Sequence, residues 1–231
     1  MKTTFLFLLG SAFCWGLSSC TAQQPKPEEV IEVINRVNNY WQETHPQHGR
    51  SFWDNAAYHT GNMKVFFLTG NPLYLEKLHE CWTYANSIMY DAEEGLYYRD
   101  GKYVYPKHKS VNGKKDFWAR GDGWVLAALA KVLKDLPETD QYRREYIDRF
   151  RTMAKSVAAC QQPEGYWTRS MLDPKHAPGP ETSGTAFFTY GLLWGMNNGL
   201  LDKAAYQPVV MKAWNYLTTI ALQPGGRIGY V

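Results

Sequence analysis

The chain has 231 residues, with 25 Lys+Arg against 22 Asp+Glu and a formal net charge of +3. That balance is too weak for a nucleic-acid binder, whose affinity comes from clustered cations on phosphates. A composition of 45% hydrophobic and 20% charged residues excludes a disordered chain, and the 15% aromatic share fits either a Trp/Tyr-rich core or a surface for flat, partly apolar ligands such as sugars.

Met1–Ser19 reads as an export signal: Lys2 is its only charge, and Phe5–Leu9 and Ser11–Gly16 are mostly apolar. It is too short to span a membrane as a mature helix. It ends in Leu17-Ser18-Ser19-Cys20, which resembles the bacterial lipoprotein cleavage box. That resemblance implies a diacylglyceryl group on Cys20 and a membrane-anchored protein facing the periplasm or cell surface. An ordinary signal peptide with a chance Cys is the alternative. Residues 21–29 (TAQQPKPEE) form a polar tether, and 30–231 is expected to be one domain.

The periodicity from residue 29 onward is helical, and apolar residues recur near the 3.6 period in seven segments. Helices are predicted over Glu29–Trp41 and Asn55–Leu68, the second stopped by Thr69-Gly70-Asn71. Pro72 opens a third over Leu73–Met89. Helices over Trp124–Leu136, Tyr142–Cys160, Thr185–Met196 and Tyr206–Leu222 follow. The second, fourth and sixth are apolar nearly all round and the others carry a polar face, so inner and outer helices alternate. That pattern describes an all-α fold, an α/α toroid. Residues 90–118 are expected to be a long loop with short β-like pieces (LYYRD, KYVYP), and loops of that length usually carry function. Of the cysteines, Cys81 and Cys160 lie in apolar helical patterns and are expected as buried free thiols, a disulfide being the other option. No His/Cys cluster has zinc spacing, so neither a metal nor another cofactor is expected.

Four segments carry a resemblance: Asp91–Asp100, Phe117-Trp-Ala-Arg-Gly-Asp-Gly-Trp124, Gln161–Trp167, and Glu181-Thr-Ser-Gly-Thr-Ala186 running into Trp194–Gly199. In order and spacing they resemble the unsaturated rhamnogalacturonyl hydrolases of glycoside hydrolase families 88 and 105. The resemblance implies an (α/α)6 barrel and an oligosaccharide substrate with a 4,5-unsaturated uronic acid at its non-reducing end. A carboxylic acid protonates the double bond and water adds, which is general acid–base chemistry. Such an acid needs a pKa raised by burial. Asp116 is the candidate acid, a solvated carboxylate being the alternative. Arg120 is the candidate partner of the uronate carboxylate, against a structural salt bridge. Trp118 and Trp124 are candidate sugar-stacking or core residues. His59 at an inner helix, Trp167 beside Tyr166 in a loop, and His176 before Pro178–Thr182 complete the candidate substrate contacts; His108 lies in a loop without an assigned role. Asp122 is expected to cap the fourth helix and Thr182 or Ser183 the sixth.

Seven helices are fewer than the twelve that the resemblance implies, and the inner segment that carries another active-site Asp in relatives is absent. The expected reading is an internally deleted, C-terminally truncated member, a partial barrel of about seven helices. A vestigial glycan-binding lipoprotein is the alternative to an enzyme.

Overall fold

The computed structural model describes residues 26–44, 64–224 and 226–231. The chain divides into two units, Met1–Pro46 and Gln47–Val231. In the first, α1 spans Pro27–Thr44. Pro27 has no N–H to lose at the first helical position, Glu28 and Glu29 face the positive end of the helix dipole, and Glu29 accepts from the Lys26 N–H at 3.1 Å. The expected signal, the tether up to Pro25, and Cys20 within them lie outside the described residues, as does His59.

The second unit opens with helical residues 64–69, the end of the predicted second helix. Its stop is as expected: Gly70 adopts φ +66° and its N–H reaches the Phe66 carbonyl at 2.7 Å. Then come α2 (Leu73–Met89), a hairpin of β1 (Tyr90–Asp91) and β2 (Leu96–Tyr97), α3 (Ala119–Asp135), α4 (Arg143–Ala159), α5 (Thr182–Asn197) and α6 (Lys203–Tyr216). A π-helical turn, Leu217–Ala221, continues α6. The fold is all-α, part of an α/α toroid, with seven helical segments among the described residues. In the hairpin Tyr90 pairs with Tyr97 and Asp91 with Leu96. The second β-like piece, 102–106, is a series of turns and bends instead.

Helix α3 packs on α5, and on α4 beside it, while α5 packs on α6. Leu126, Leu129 and Leu133 of α3, Phe150, Met153 and Val157 of α4, and Phe188 and Leu192 of α5 form the centre of the core. The close approach of α3 to α5 requires glycine. A Cβ on Gly123 would come within 2.9 Å of Phe187 Cβ, and one on Gly184 within 2.7 Å of the Ala119 carbonyl carbon. This explains why α3 starts at Ala119, five residues earlier than predicted: Gly123, a local helix breaker, is tolerated because the neighbouring helix approaches too closely for a side chain there.

Two helices expected to be buried all round are not. On α3 Trp124 is 61% exposed, and on α5 Tyr190 and Leu193 are exposed as well. Each of these helices buries the flanks that meet its neighbours and leaves one apolar strip open. Cys81 and Cys160 are free thiols. Burial pushes the Cys160 thiol up to about 12, so it stays protonated and unreactive at neutral pH.

Candidate functional site

Residues 116–119 run as an extended segment into α3. The segment pairs with 168–171: Trp118 bridges Ser170, the Ala119 N–H donates to the Arg169 carbonyl, and the Met171 N–H donates to Phe117. Phe117 and Ala119 are fully buried in the core. In an extended strand alternate residues point to opposite faces, so Asp116 and Trp118 turn away from that core.

Asp116 is nevertheless buried, beneath a cap of cationic and imidazole groups. Arg169 Nη1 donates to both its oxygens, at 3.0 and 2.8 Å. His108 Nε2 lies 3.0 Å from Oδ2 and His176 Nε2 3.7 Å from it. These three side chains reach solvent, at 31%, 32% and 20% exposure, whereas that of Asp116 is 1% exposed. Burial alone would push the Asp116 carboxyl up. The polar groups of Ser170, His108 and Arg169 outweigh it and hold the carboxyl below its usual range. Asp116 is therefore ionised, the opposite of what its candidacy as a proton-donating acid requires.

Ionised Asp116 only accepts hydrogen bonds, so His108 Nε2 carries the proton that faces it. The His108 ring lies 4.1 Å from that of Tyr103, centroid to centroid. His176 presents the same nitrogen: its Nδ1 accepts from the Val111 N–H at 3.2 Å, which leaves the proton on Nε2, facing Asp116. The two loops that bring these groups together are tied by Asp173, which accepts from Ser110 Oγ at 2.5 Å and from Asn112 Nδ2 at 2.9 and 3.0 Å.

Two residues beyond Trp118, Arg120 lies with its guanidinium 5.2 Å from the centroid of the half-buried indole. It donates to Glu181 Oε1 at 3.1 and 3.2 Å and to Ser183 Oγ at 2.8 Å. The structural ion pair weighed as its alternative role is thus present. Glu181, not Thr182 or Ser183, caps α5, accepting from the Gly184 N–H at 2.6 Å. Trp124, one turn into α3, is 61% exposed, with the Phe187 ring edge-on at 6.5 Å.

Two expectations fail. Trp167 is fully buried, its indole N–H bonded to the Val157 carbonyl at 2.7 Å and its ring packed 5.1 Å from Phe188. It is a core residue and touches no substrate. Asp122 is no cap. It lies inside α3, fully buried, with Oδ1 accepting from the Tyr97 N–H at 2.8 Å and Oδ2 without a partner among the described residues. Burial, opposed only by that one hydrogen bond, raises its pKa well above the carboxylate range. Arg169 and His108 were given no role from the sequence; Arg169 lies 53 positions from Asp116, and His108, eight positions away, stands in a loop with no motif to mark it.

Comparison with known proteins fits this arrangement. The model of Glycosyl Hydrolase Family 88 matches residues 28–231. An unsaturated 3S-rhamnoglycuronyl hydrolase of Formosa agariphila is 39% identical over 167 residues, which is 71% of this chain and 44% of that protein. The chain thus spans less than half the length of this curated relative. A solved glycosyl hydrolase family 88 structure from Bacteroides vulgatus is 58% identical with a TM-score of 0.76, over 90% of this chain and 60% of that one. A solved polysaccharide lyase is 53% identical with a TM-score of 0.72, over 89% of this chain and 87% of that one.

Proposed function

This chain belongs to glycosyl hydrolase family 88, and from that premise we propose that it hydrolyses oligosaccharides ending in a 4,5-unsaturated uronic acid linked to rhamnose, of pectin-derived or related type. The observation that supports this is the set of groups at the start of α3: the Trp118 indole lies 5.2 Å from the Arg120 guanidinium, and Trp124, one turn beyond Arg120, is 61% exposed. A planar guanidinium suits a uronate carboxylate and an indole face suits a sugar ring. Protonation at C4 of the enol ether and addition of water at C5 give a hemiketal that opens and releases the sugar. Asp116 is held ionised and does not supply that proton.

The test is the ultraviolet absorbance of an unsaturated glucuronate–rhamnose disaccharide, which falls as the double bond is hydrated. Arg120→Ala should lower kcat/KM about 10–100-fold, the loss of a charge-assisted hydrogen bond worth about 1.5–3 kcal/mol. Absorbance that stays constant with the unaltered protein overturns the reading.

A second reading is favoured by one observation: the polysaccharide lyase structure is matched over nearly its whole length, at 53% identity. A lyase acts on the same class of sugar but forms the double bond instead of removing it.

We also propose export and acylation at Cys20, supported by the Leu17-Ser-Ser-Cys20 box. A labelled fatty acid should be incorporated into the protein in a bacterial host and lost in Cys20→Ser. Equal labelling of both would remove Cys20 as the anchor.

A further inference from the structure

We infer that Glu181 is the positioning residue for uronate recognition: it holds one edge of the Arg120 guanidinium and leaves the other edge for the sugar carboxylate. The inference rests on the proposed action on uronate-ended sugars and names the group that orders the anion site.

A guanidinium is a flat fork with five N–H donors. Its side edge carries Nε–H and one N–H of Nη2. Its end edge carries the other Nη2 N–H and one of Nη1. Glu181 takes the side edge: its Oε1 accepts from Arg120 Nε at 3.2 Å and from Nη2 at 3.1 Å. Ser183 ties the two together, for its Oγ accepts from Nε at 2.8 Å and donates to the same Oε1. The Trp118 indole lies 5.2 Å from the guanidinium. Among the described residues Arg120 bonds only through Nε and Nη2, so the end edge is unused. The Arg120 side chain is 33% exposed, against 7% for that of Glu181. Two parallel N–H groups on an end edge match the two oxygens of a carboxylate.

Glu181 is itself held by a group that Arg120 does not use. Its Oε2 accepts from the Gly184 N–H at 2.6 Å, at the start of α5. A Cβ on Gly184 would come within 2.6 Å of that oxygen, so only a bare backbone lets the carboxylate settle there. The Glu181-Thr-Ser-Gly184 string thereby gains a physical reason: Gly184 seats the carboxylate, and the carboxylate and Ser183 fix the arginine. A loose arginine gives up rotamer freedom when it binds an anion, whereas one fixed in the folded protein has already done so.

The experiment titrates the protein by calorimetry with methyl β-glucuronide and with methyl β-glucoside. These sugars differ only in carboxylate against hydroxymethyl, and neither has a double bond to hydrate. The unaltered protein should prefer the glucuronide. Glu181→Asp keeps a carboxylate and a good helix cap but is one methylene shorter, so it withdraws from Arg120. Its thermal midpoint should stay near that of the unaltered protein, while its preference for the glucuronide falls about 3–10-fold, the cost of ordering one arginine on binding. In an Arg120→Ala background the same change should leave the preference as it is, because Glu181 acts through Arg120. Should Glu181→Asp fail to fold, Ser183→Ala leaves the cap in place and should lower the preference about 2–5-fold. A preference unchanged in whichever variant folds, or lowered equally without Arg120, overturns the inference and leaves the proposed hydrolysis standing. No preference in the unaltered protein also overturns the inference. A preference that depends on Glu181, in a protein that leaves the unsaturated disaccharide intact, sustains the inference and overturns the hydrolysis.

Discussion

Trp167→Ala is expected to destabilise the protein by about 4–5 kcal/mol, read as a shift of the urea midpoint. Emptying a fully buried Trp site typically costs about 3–5 kcal/mol through lost transfer energy and the cavity left behind. Two further losses add to it. The Val157 carbonyl loses its indole donor, at 2.7 Å, in a fully buried site, and the Phe188 ring loses its neighbour at 5.1 Å. Against a total stability of about 5–15 kcal/mol for a native protein, such a loss leaves a substantial unfolded fraction. Trp167→Phe keeps the apolar contact and loses the hydrogen bond, so about 1–2 kcal/mol is expected, with substrate KM unchanged. A sugar-stacking Trp would behave in the reverse manner, with stability nearly untouched and KM raised. A midpoint within about 0.5 kcal/mol of the unaltered protein for Trp167→Ala would contradict the buried placement.

The second large effect lies in the contrast between two buried aspartates. Asp116→Ala removes the carboxylate beneath Arg169, His108 and His176 and should cost about 3 kcal/mol at neutral pH. The sign with pH follows from the direction of its shift. The folded-state pKa of Asp116 lies below the unfolded value of about 3.9, so its stabilisation is complete above that value and is lost as the pH falls through the folded one. The penalty of the substitution should therefore shrink in acid. Asp122 runs the other way. Its folded-state pKa is raised, so its contribution is complete below about pH 3.9 and is lost as the pH rises, because only the unfolded chain gains from ionising. Asp122→Asn retains an oxygen for the Tyr97 N–H and cannot ionise. It should match the unaltered protein in acid and become progressively more stable than it toward neutral pH. Urea midpoints of the two variants at several pH values test both at once. Curves that move in parallel with pH would refute the opposite assignment of charge, ionised at Asp116 and neutral at Asp122.

Much of the helical framework was legible because its signals are local. Gly70 in the left-handed region, Pro72 before Leu73, and the apolar spacing of 73–89 act within a few residues of one another, and α2 begins and ends where they place it. The Phe117–Trp124 motif likewise names the family without tertiary help, since it is a contiguous string. The start of α3 was misplaced for the converse reason. Gly123 weakens a helix taken by itself, and only the packing of α5 against it makes glycine the residue that fits. The cap of α5 went to Glu181 rather than Thr182 or Ser183 because Arg120, 61 positions away, and the Gly184 N–H converge on that carboxylate.

For the candidate site, the sequence by itself determined which chemical groups were available: Asp116, Trp118, Arg120, Trp124 and His176 stand in or near motifs that single them out. It could not determine their states. Whether a carboxyl is charged depends on the balance between desolvation and the donors around it, and those donors come from loops far apart in the chain. Asp116 is held ionised by His108 and by an Arg169 with no local mark, while Asp122, six residues on, meets a single backbone N–H in the core and stays neutral. Trp167 shows the same division for packing. Its identity suited a sugar platform or a core, and only the arrival of Val157 and Phe188 on either side decided for the core. The sequence thus set the helices and the family through short-range propensity and pattern. Tertiary structure set charge, burial and partner, because those are energies of groups that meet only once the chain has folded.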